Sequence, residues 1–282
     1  MDLVIRTDGN SEIGFGHLVR SSAISEIARE NGVHIAVATA TPGPVRDIFA
    51  DETCVWPLPN RDSPDYFCQL LDQRSVDAVF ADAYPVDTEY QREIRQHAPL
   101  VVQQDDVRHP ICADVLVNGN LYARDLNYEF VGNEPHRCLG PSYVLLREEV
   151  RAVAQRTPLC RTPPERAIIT MGGSDIANVT PTAVRAFDDF DLTVDVIVGP
   201  GVSTGRERNI RTVASDCSAT CRVSRDPDDL IDRMFRADFA VTTASTTTYE
   251  LLAVGTPIIS VPVVDNQTQI AAALGYCRPI RY

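Results

Sequence analysis

The stretch LVIRTDGNSEIGFGHLVR, residues 3–20, decides the fold of the first half of the chain. It begins with an apolar β-branched run, passes through a glycine-bearing loop and ends in a segment with helical spacing. A strand, a glycine loop and a helix in this order let backbone N–H groups approach a ligand closely. The dinucleotide-binding pattern G-x-G-x-x-G is absent, because position 19 is Val. The stretch therefore predicts an α/β domain with a ligand site after its first strand.

One histidine, His17, stands at the start of the predicted helix, directly after Gly16. The positive end of a helix disfavours the imidazolium, so we expect a neutral ring that can accept a proton. The alternative is a histidine that only caps or packs the turn. Its place at the carboxyl end of a strand, beside loop glycines, favours a general base.

Apolar β-branched runs recur along the chain, and helix-length segments with apolar residues at helical spacing lie between them. The predicted strands span residues 3–7, 33–38, 76–81, 100–104, 115–117, 167–171, 192–198, 239–242 and 258–261. The predicted helices span residues 17–31, 62–74, 87–97, 178–190, 204–215, 226–237 and 246–254. Strands that alternate with helices predict parallel sheets with crossover helices.

A proline-containing segment without apolar periodicity, residues 152–165, divides the chain. We therefore predict two doubly wound, Rossmann-like domains, residues 1–155 and 165–282. A length of 282 residues is enough for two cores of ordinary domain size. Open α/β sheets bind ligands outside the carboxyl ends of their strands, so we expect a ligand in the cleft between the two domains.

The charge of the chain excludes several classes of partner. There are 39 acidic and 26 basic residues, the formal net charge is −13, and every basic residue is arginine. Such a surface repels phosphate backbones and disfavours nucleic-acid binding. The absence of lysine indicates a halophile with a high-salt cytoplasm, and the alternative is a GC-rich genome with ordinary acidity. Neither a membrane-spanning stretch of about 20 apolar residues nor a secretory signal is present, so we expect a cytoplasmic protein.

The eight cysteines are scattered, and only Cys217 and Cys221 lie close together. No cysteine–histidine or carboxylate cluster has the spacing of metal ligands. We therefore expect neither a metal nor another cofactor.

Two turns in the second half suit a diphosphate. Adjacent glycines after the first strand of the second domain expose bare amides at a helix start, and a run of hydroxyl residues begins a later helix. These residues are Gly172, Gly173, Ser174, Ser245, Thr246 and Thr247. About one turn into the later helix, Glu250 can accept both hydroxyls of a ribose, unless it only stabilises the helix electrostatically. After the next strand, Asn266 and Gln267 can bond a sugar or a nucleotide.

Together these motifs resemble the hydrolases of pseudaminic acid biosynthesis. That family cleaves UDP-2,4-diacetamido-2,4,6-trideoxy-β-L-altropyranose and is related to the GT-B glycosyltransferases of the type that makes lipid II. The resemblance rests on GFGHLVR after the first strand, GGSD, STTTYELLAVGTP and NQ. It extends to the sequences DAY at residues 82–84, QDD at 104–106, CADVLVN at 112–118 and LGPSYVLLR at 139–147.

The resemblance implies a monomeric GT-B enzyme that hydrolyses a UDP-sugar with inversion and without a metal, releasing UDP and the free sugar. It implies that His17 activates the attacking water and that Tyr84 contacts or orients the sugar. The two turns of the second domain would hold the diphosphate, and Glu250 would hold the ribose. The sugar-binding residues that it implies are Asp8, Gly16, Arg20, Asn266 and Gln267.

Two other functions stay open. A GT-B glycosyltransferase of surface polysaccharide would need the same base and the same UDP site, because water and an acceptor hydroxyl are activated alike. The third function is a catalytically inactive nucleotide-sugar sensor. The short segment after Gly275 favours the sensor, whereas the presence of His17, Tyr84 and Glu250 together disfavours it.

Overall fold

The computed structural model describes residues 1–158 and 161–275, which form two compact units with their boundary between Arg147 and Glu148. Each unit has a parallel sheet and a hydrophobic core of its own. The boundary lies on the N-terminal side of the proline-containing segment 152–165.

The first unit contains a seven-stranded parallel sheet with the order β3-β2-β1-β4-β5-β6-β7. Its strands are β1 (Asp2–Thr7), β2 (His34–Thr39), β3 (Cys54–Pro57), β4 (Ala78–Asp82), β5 (Leu100–Gln103), β6 (Val115–Asn118) and β7 (His136–Leu139). Its α-helices are α1 (Gly16–Glu30), α2 (Pro42–Ile48), α3 (Asp65–Asp72) and α4 (Thr88–Ile94). Strand β1 pairs with β2 and β4, so the loop after β1 emerges near the middle of the sheet.

Both faces of the first sheet are covered, because successive residues of β1 point to opposite sides. Val4 belongs to a cluster that includes Phe67 of α3, whereas Ile5 packs in another cluster with Leu18 of α1 and Val45 of α2. Burial on both faces accounts for the near-continuous apolar runs of the inner strands.

The second unit contains a five-stranded parallel sheet with the order β10-β9-β8-β11-β12. Its strands are β8 (Arg166–Thr170), β9 (Thr193–Val198), β10 (Thr220–Arg225), β11 (Phe239–Thr243) and β12 (Ile258–Val261). Its α-helices are α5 (Glu148–Val153), α6 (Thr180–Arg185), α7 (Thr204–Asp216), α8 (Leu230–Arg236), α9 (Thr246–Ala253) and α10 (Thr268–Ala273). The two parallel sheets with crossover helices confirm the predicted α/β class.

Among the residues that the structure describes, no helix combines the length and the apolar character needed to cross a membrane.

Candidate active site

The loop after β1 sets where α1 begins and so where His17 lies. A Cβ at Gly9 would lie 2.6 Å from Cγ of Leu18, so only glycine allows the loop to pack this closely against the first turn of α1. Gly14 has a φ of +95°, and its N–H donates to the carbonyl of Asn10 at 2.8 Å. The turn is therefore closed by its own backbone.

The His17 ring meets a carboxylate from the end of β4. Its Nδ1 lies 2.6 Å from Oδ1 of Asp82, which is fully buried. Burial raises the pKa of this carboxyl, but Arg20 and His17 lower it by more, to about 2. Because a carboxylate only accepts hydrogen bonds, Nδ1 of His17 carries the proton and donates it. The ring nitrogen Nε2, which has no hydrogen-bond partner among the described residues, is thereby left as the proton acceptor.

Arg20, one turn further along α1, lies between two carboxylates. Its Nε and Nη2 donate to the two oxygens of Asp82 at 2.5 and 2.6 Å, and its Nη1 donates to those of Asp105 at 2.8 and 2.9 Å. Burial lowers the pKa of the guanidinium, but Asp105 and Asp82 raise it by more, so that it stands well above its usual value. Arg20 is therefore a permanent cation that grips Asp82 with two nitrogens and reaches Asp105 with the third.

Tyr84 forms an aromatic contact beside the imidazole. The ring centroids of Tyr84 and His17 are 4.4 Å apart with an interplanar angle of 86°, an edge-to-face contact. The guanidinium of Arg108 lies 4.4 Å from the centroid of the Tyr84 ring. Arg108 is itself held by Asp106, whose oxygens accept from Nε at 2.8 and 2.9 Å.

These side chains line one pocket at the carboxyl edge of the first sheet. The lining residues are His17, Arg20, Ala83, Tyr84, Val86, Val102, Gln103, Gln104, Asp105, Asp106, Arg108 and His109. One wall is fixed by Gln104, whose amide Nε2 donates to the carbonyls of Asp106 and His109, both at 3.0 Å. The arrangement offers a proton acceptor, a charged polar wall and a small apolar floor, which suits a polar ligand with a proton to give up.

The low pKa of Asp82 predicts how stability changes in acid. The unfolded chain protonates this carboxyl near its usual pKa of about 4, but the folded chain protonates it only near about 2. The stabilisation is therefore complete above pH 4 and is lost as the pH falls toward 2. We expect the unfolding free energy to fall less steeply over this range in Asp82→Asn than in the wild type, as measured by urea unfolding. If the unfolding free energies of the two proteins fell equally steeply with pH, the lowered pKa of Asp82 would be contradicted.

Of the sugar-binding residues predicted in the first domain, Asp8 has its oxygens bonded within the protein. It is 1% exposed, and it accepts hydrogen bonds from Arg6, the Thr39 hydroxyl and the backbone N–H of Ala40, at 2.6, 3.1 and 2.7 Å. Gly16 is the first residue of α1. Arg20 directs its donors at carboxylates, as described above. Sugar contacts by these three residues stay predictions.

In the second unit, the two predicted phosphate turns are neighbours. A Cβ at Gly172 would lie 3.8 Å from Oγ1 of Thr243, so the turn after β8 lies beside the end of β11. Oγ of Ser174 is buried without a hydrogen-bond partner among residues 1–158 and 161–275. Helix α9 begins at Thr246 with Ser245 as its N-cap, which leaves its first backbone N–H groups at the same edge of the sheet.

The remaining predicted contacts lie in and after α9. Glu250 is 5% exposed in α9. The side-chain oxygen Oε1 of Gln267 accepts from the backbone N–H of Val263 at 2.9 Å. The Asn266 side chain lies outside the described part of the structure.

Within residues 1–158 and 161–275, no three or more His, Cys, Asp or Glu side chains are grouped so that they could hold a metal ion.

Sequence reasoning did not pair Asp82 with His17, nor did it assign a place to Arg108. The two residues of the His17 pair are 65 positions apart and follow strands β1 and β4, whose adjacency no local pattern reveals. The available signal was the sequence DAY at a strand end, because carboxyl ends of neighbouring parallel strands share one edge of the sheet.

Comparison with known proteins finds similar sequences of 22–24% identity. No protein-family model matches it. UDP-2,4-diacetamido-2,4,6-trideoxy-β-L-altropyranose hydrolase from Campylobacter jejuni is 24% identical, over 97% of the chain and 96% of that protein. The spore coat polysaccharide biosynthesis protein SpsG of Bacillus subtilis is 22% identical, over 96% of the chain and 80% of that protein. An uncharacterised protein from Methanocaldococcus jannaschii is 23% identical over 92% of the chain, and the matched region spans 55% of its length.

Solved structures agree on the fold. MurG from Acinetobacter baumannii superposes with a TM-score of 0.65 at 14% identity and covers 97% of this chain and 83% of its own. UGT2 from Phytolacca americana superposes with a TM-score of 0.61 at 12% identity and covers 97% of this chain and 82% of its own. The chain has the GT-B fold. The GT-B architecture and the resemblance to the altropyranose hydrolases, both predicted from the motifs, are thereby confirmed.

Proposed function

We propose that this GT-B protein hydrolyses a UDP-linked diacetamido-trideoxy sugar with inversion and releases UDP and the free sugar. The observation that carries the proposal is the pair of His17 with the buried Asp82 carboxylate, 2.6 Å apart, which leaves Nε2 of the ring as a proton acceptor. Similarity to the Campylobacter jejuni hydrolase over 97% of the chain supports the substrate class.

In the proposed reaction, Nε2 of His17 takes a proton from a water molecule while the water oxygen bonds to the anomeric carbon. The bond between that carbon and the phosphate oxygen breaks, and its electron pair leaves with UDP. A single displacement inverts the configuration at the anomeric carbon. Asp82 stabilises the imidazolium that forms, and general base catalysis of this kind contributes about 10²–10⁴-fold.

UDP is proposed to bind the second unit. The backbone N–H groups of Gly172, Gly173 and Ser174, with those of Thr246 and Thr247, would hold the diphosphate, because helix starts favour anions. The backbone N–H of Ser245 donates to the carbonyl of Thr243 at 2.9 Å, so Ser245 would contribute through its side chain. Glu250 would accept the ribose hydroxyls, and Asn266 and Gln267 would contact the sugar. Stabilisation of the departing diphosphate by these groups replaces a metal, so turnover should persist in EDTA.

A glycosyltransferase is the second candidate, favoured by the similarity to the spore coat polysaccharide protein SpsG and by the glycosyltransferase fold of its structural neighbours. It would use the same base on an acceptor hydroxyl. The deciding difference is that a transferase releases little UDP in the absence of an acceptor.

The proposed function is tested by incubation with the UDP-diacetamido-trideoxy sugar and, in parallel, with UDP-N-acetylglucosamine. Real-time proton NMR follows UDP, the free sugar and the anomer first formed. We expect hydrolysis of the first compound, with the inverted anomer appearing first, and the same rate in EDTA. No free sugar from any UDP-sugar would contradict hydrolysis, and loss of turnover in EDTA that Mg²⁺ or Mn²⁺ restores would contradict the metal-free reaction.

A backbone contact offers a test of the diphosphate turn. A Cβ at Gly199 would lie 2.4 Å from the carbonyl oxygen of Gly173 and 2.5 Å from that of Gly172, so Gly199→Ala must displace the turn. If UDP can bind only when the displaced turn returns to its original position, at a cost of about 1–3 kcal/mol, UDP binding becomes about 5–150-fold weaker. Calorimetry measures this affinity. Gly205→Ala is the matched control, since nothing lies within 4 Å of a Cβ there. A folded Gly199→Ala variant with wild-type UDP affinity would remove this turn from the site.

A further inference from the structure

Three charged side chains form a continuous chain behind His17. Asp82 receives two N–H groups of Arg20, and Asp105 receives Nη1 of the same guanidinium. The exposed fractions of the Asp82, Arg20 and Asp105 side chains are 0%, 15% and 23%, so water competes little for these contacts. His17 occupies only one oxygen of Asp82, and the fork of Arg20 fixes the plane of the carboxylate by holding both.

Asp105, the member of this series farthest from His17, is also held by hydrogen bonds. Oδ1 of Asp105 accepts from the side-chain amides of Gln103 and Asn120, at 3.1 and 2.9 Å. The same amide of Asn120 donates to Oδ1 of Asn118 at the end of β6, at 2.7 Å. The guanidinium is thus held between strand ends of the sheet and cannot turn without breaking several hydrogen bonds.

The donors of Arg20 are already directed at protein atoms. Its Nε–H and one N–H of Nη2 go to Asp82, and Nη1 faces both oxygens of Asp105. Nη2 also lies 3.1 Å from Nδ1 of His17, and both are donors once Nδ1 is protonated, so this contact is not a hydrogen bond. A guanidinium engaged in this way suits orientation of its neighbours better than contact with a sugar.

We propose that Arg20 and Asp105 are positioning residues, which hold the Asp82 carboxylate in the plane that keeps His17 protonated on Nδ1 and accepting on Nε2. The consequence for turnover rests on the proposed function, in which His17 is the base. The consequence for the ring tautomer does not, because it follows from the hydrogen bonds alone.

The first test is chemical rescue of Arg20→Ala. We expect kcat to fall about 10–10²-fold with UDP affinity unchanged, because a displaced base slows turnover but does not affect nucleotide binding. Millimolar guanidinium should restore part of the lost rate in this variant and not in the wild type. Arg20→Lys should stay slow, because an ammonium cannot form the fork. Arg29→Ala is the control on the same helix, where the arginine faces Glu52 and Thr53.

The second test reads the His17 tautomer by ¹⁵N NMR and needs no substrate. We expect the Nδ1–H form in the wild type, mixed tautomers in Arg20→Ala and a return toward the Nδ1–H form with guanidinium. Asp105→Asn should shift the ¹⁵N signals of His17 in the same direction but by a smaller amount. This variant replaces Arg20→Ala in the test if Arg20→Ala does not fold. A wild-type tautomer in both variants overturns the proposal, and so does a raised KM with unchanged kcat, which would make Arg20 a sugar contact. If the ¹⁵N signals behave as expected but the protein cleaves no UDP-sugar, the positioning role is upheld. Only the proposed function is then refuted.

Discussion

His17→Asn is expected to lower kcat by at least about 10²-fold while leaving UDP affinity nearly unchanged. The variant removes the group that takes the proton of the attacking water in the proposed reaction. The UDP contacts are proposed for the second unit, so the calorimetric affinity for UDP should not change.

The matched control for this prediction is His97→Asn. His97 also pairs its Nδ1 with a carboxylate at 2.6 Å, that of Asp72, but at the surface of the first unit. Its variant should keep the wild-type rate. Near-wild-type kcat in His17→Asn would exclude it as the base, and loss of UDP binding together with activity would make it a structural residue.

Asp82→Asn is expected to lower kcat about 10²–10⁴-fold, although the new side chain has almost the same shape. An asparagine can turn its amide N–H toward Nδ1 of His17, which would then accept and place the ring proton on Nε2. That tautomer cannot take a proton from water. The fork of Arg20 also loses one of its acceptors, because the amide nitrogen only donates.

The rate of Asp82→Asn is best compared with that of Asp72→Asn, which changes the other histidine–aspartate pair and should be without effect. The ¹⁵N spectrum of His17 shows whether a changed tautomer causes the slow rate, because the ring proton of the variant is expected on Nε2. A slow Asp82→Asn variant with the wild-type tautomer would show that the carboxylate acts through charge alone. A variant with wild-type kcat would remove Asp82 from the mechanism.

The inner strands could be predicted from the sequence, and the edge strands largely could not. Strands such as β1 and β8 are buried on both faces and contain the apolar runs Leu-Val-Ile and Ala-Ile-Ile, so their bounds were predicted within a residue or two. The strands absent from the prediction, β3, β7 and β10, all lie at sheet edges. β7 reads His-Arg-Cys-Leu with its first two residues exposed, and no apolar run marks it.

The site residues could be predicted where a local sequence pattern marks them. Contacts between residues that are distant in sequence could not be predicted. His17 follows a glycine loop at a strand end, which indicates a functional histidine without any knowledge of the fold. Its partner Asp82 depends on strand order, and the stacking of Arg108 on Tyr84 depends on the course of the loop after β5. The Arg20 pattern suggested a ligand contact, because sequence alone does not show that the carboxylates of Asp82 and Asp105 already engage its donors.

All seven strands of the first sheet come from residues 2–139, and among residues 161–275 no later strand joins this sheet. During synthesis the first unit can therefore complete its sheet and bury His17 and Asp82 while β8 and the strands after it are still in the ribosomal exit tunnel or not yet synthesised. Each of the seven strands therefore finds its described neighbours within residues 2–139. A nascent chain arrested a few dozen residues beyond Arg147, long enough to clear the ribosomal exit tunnel, should already hold the first unit in a protease-resistant state.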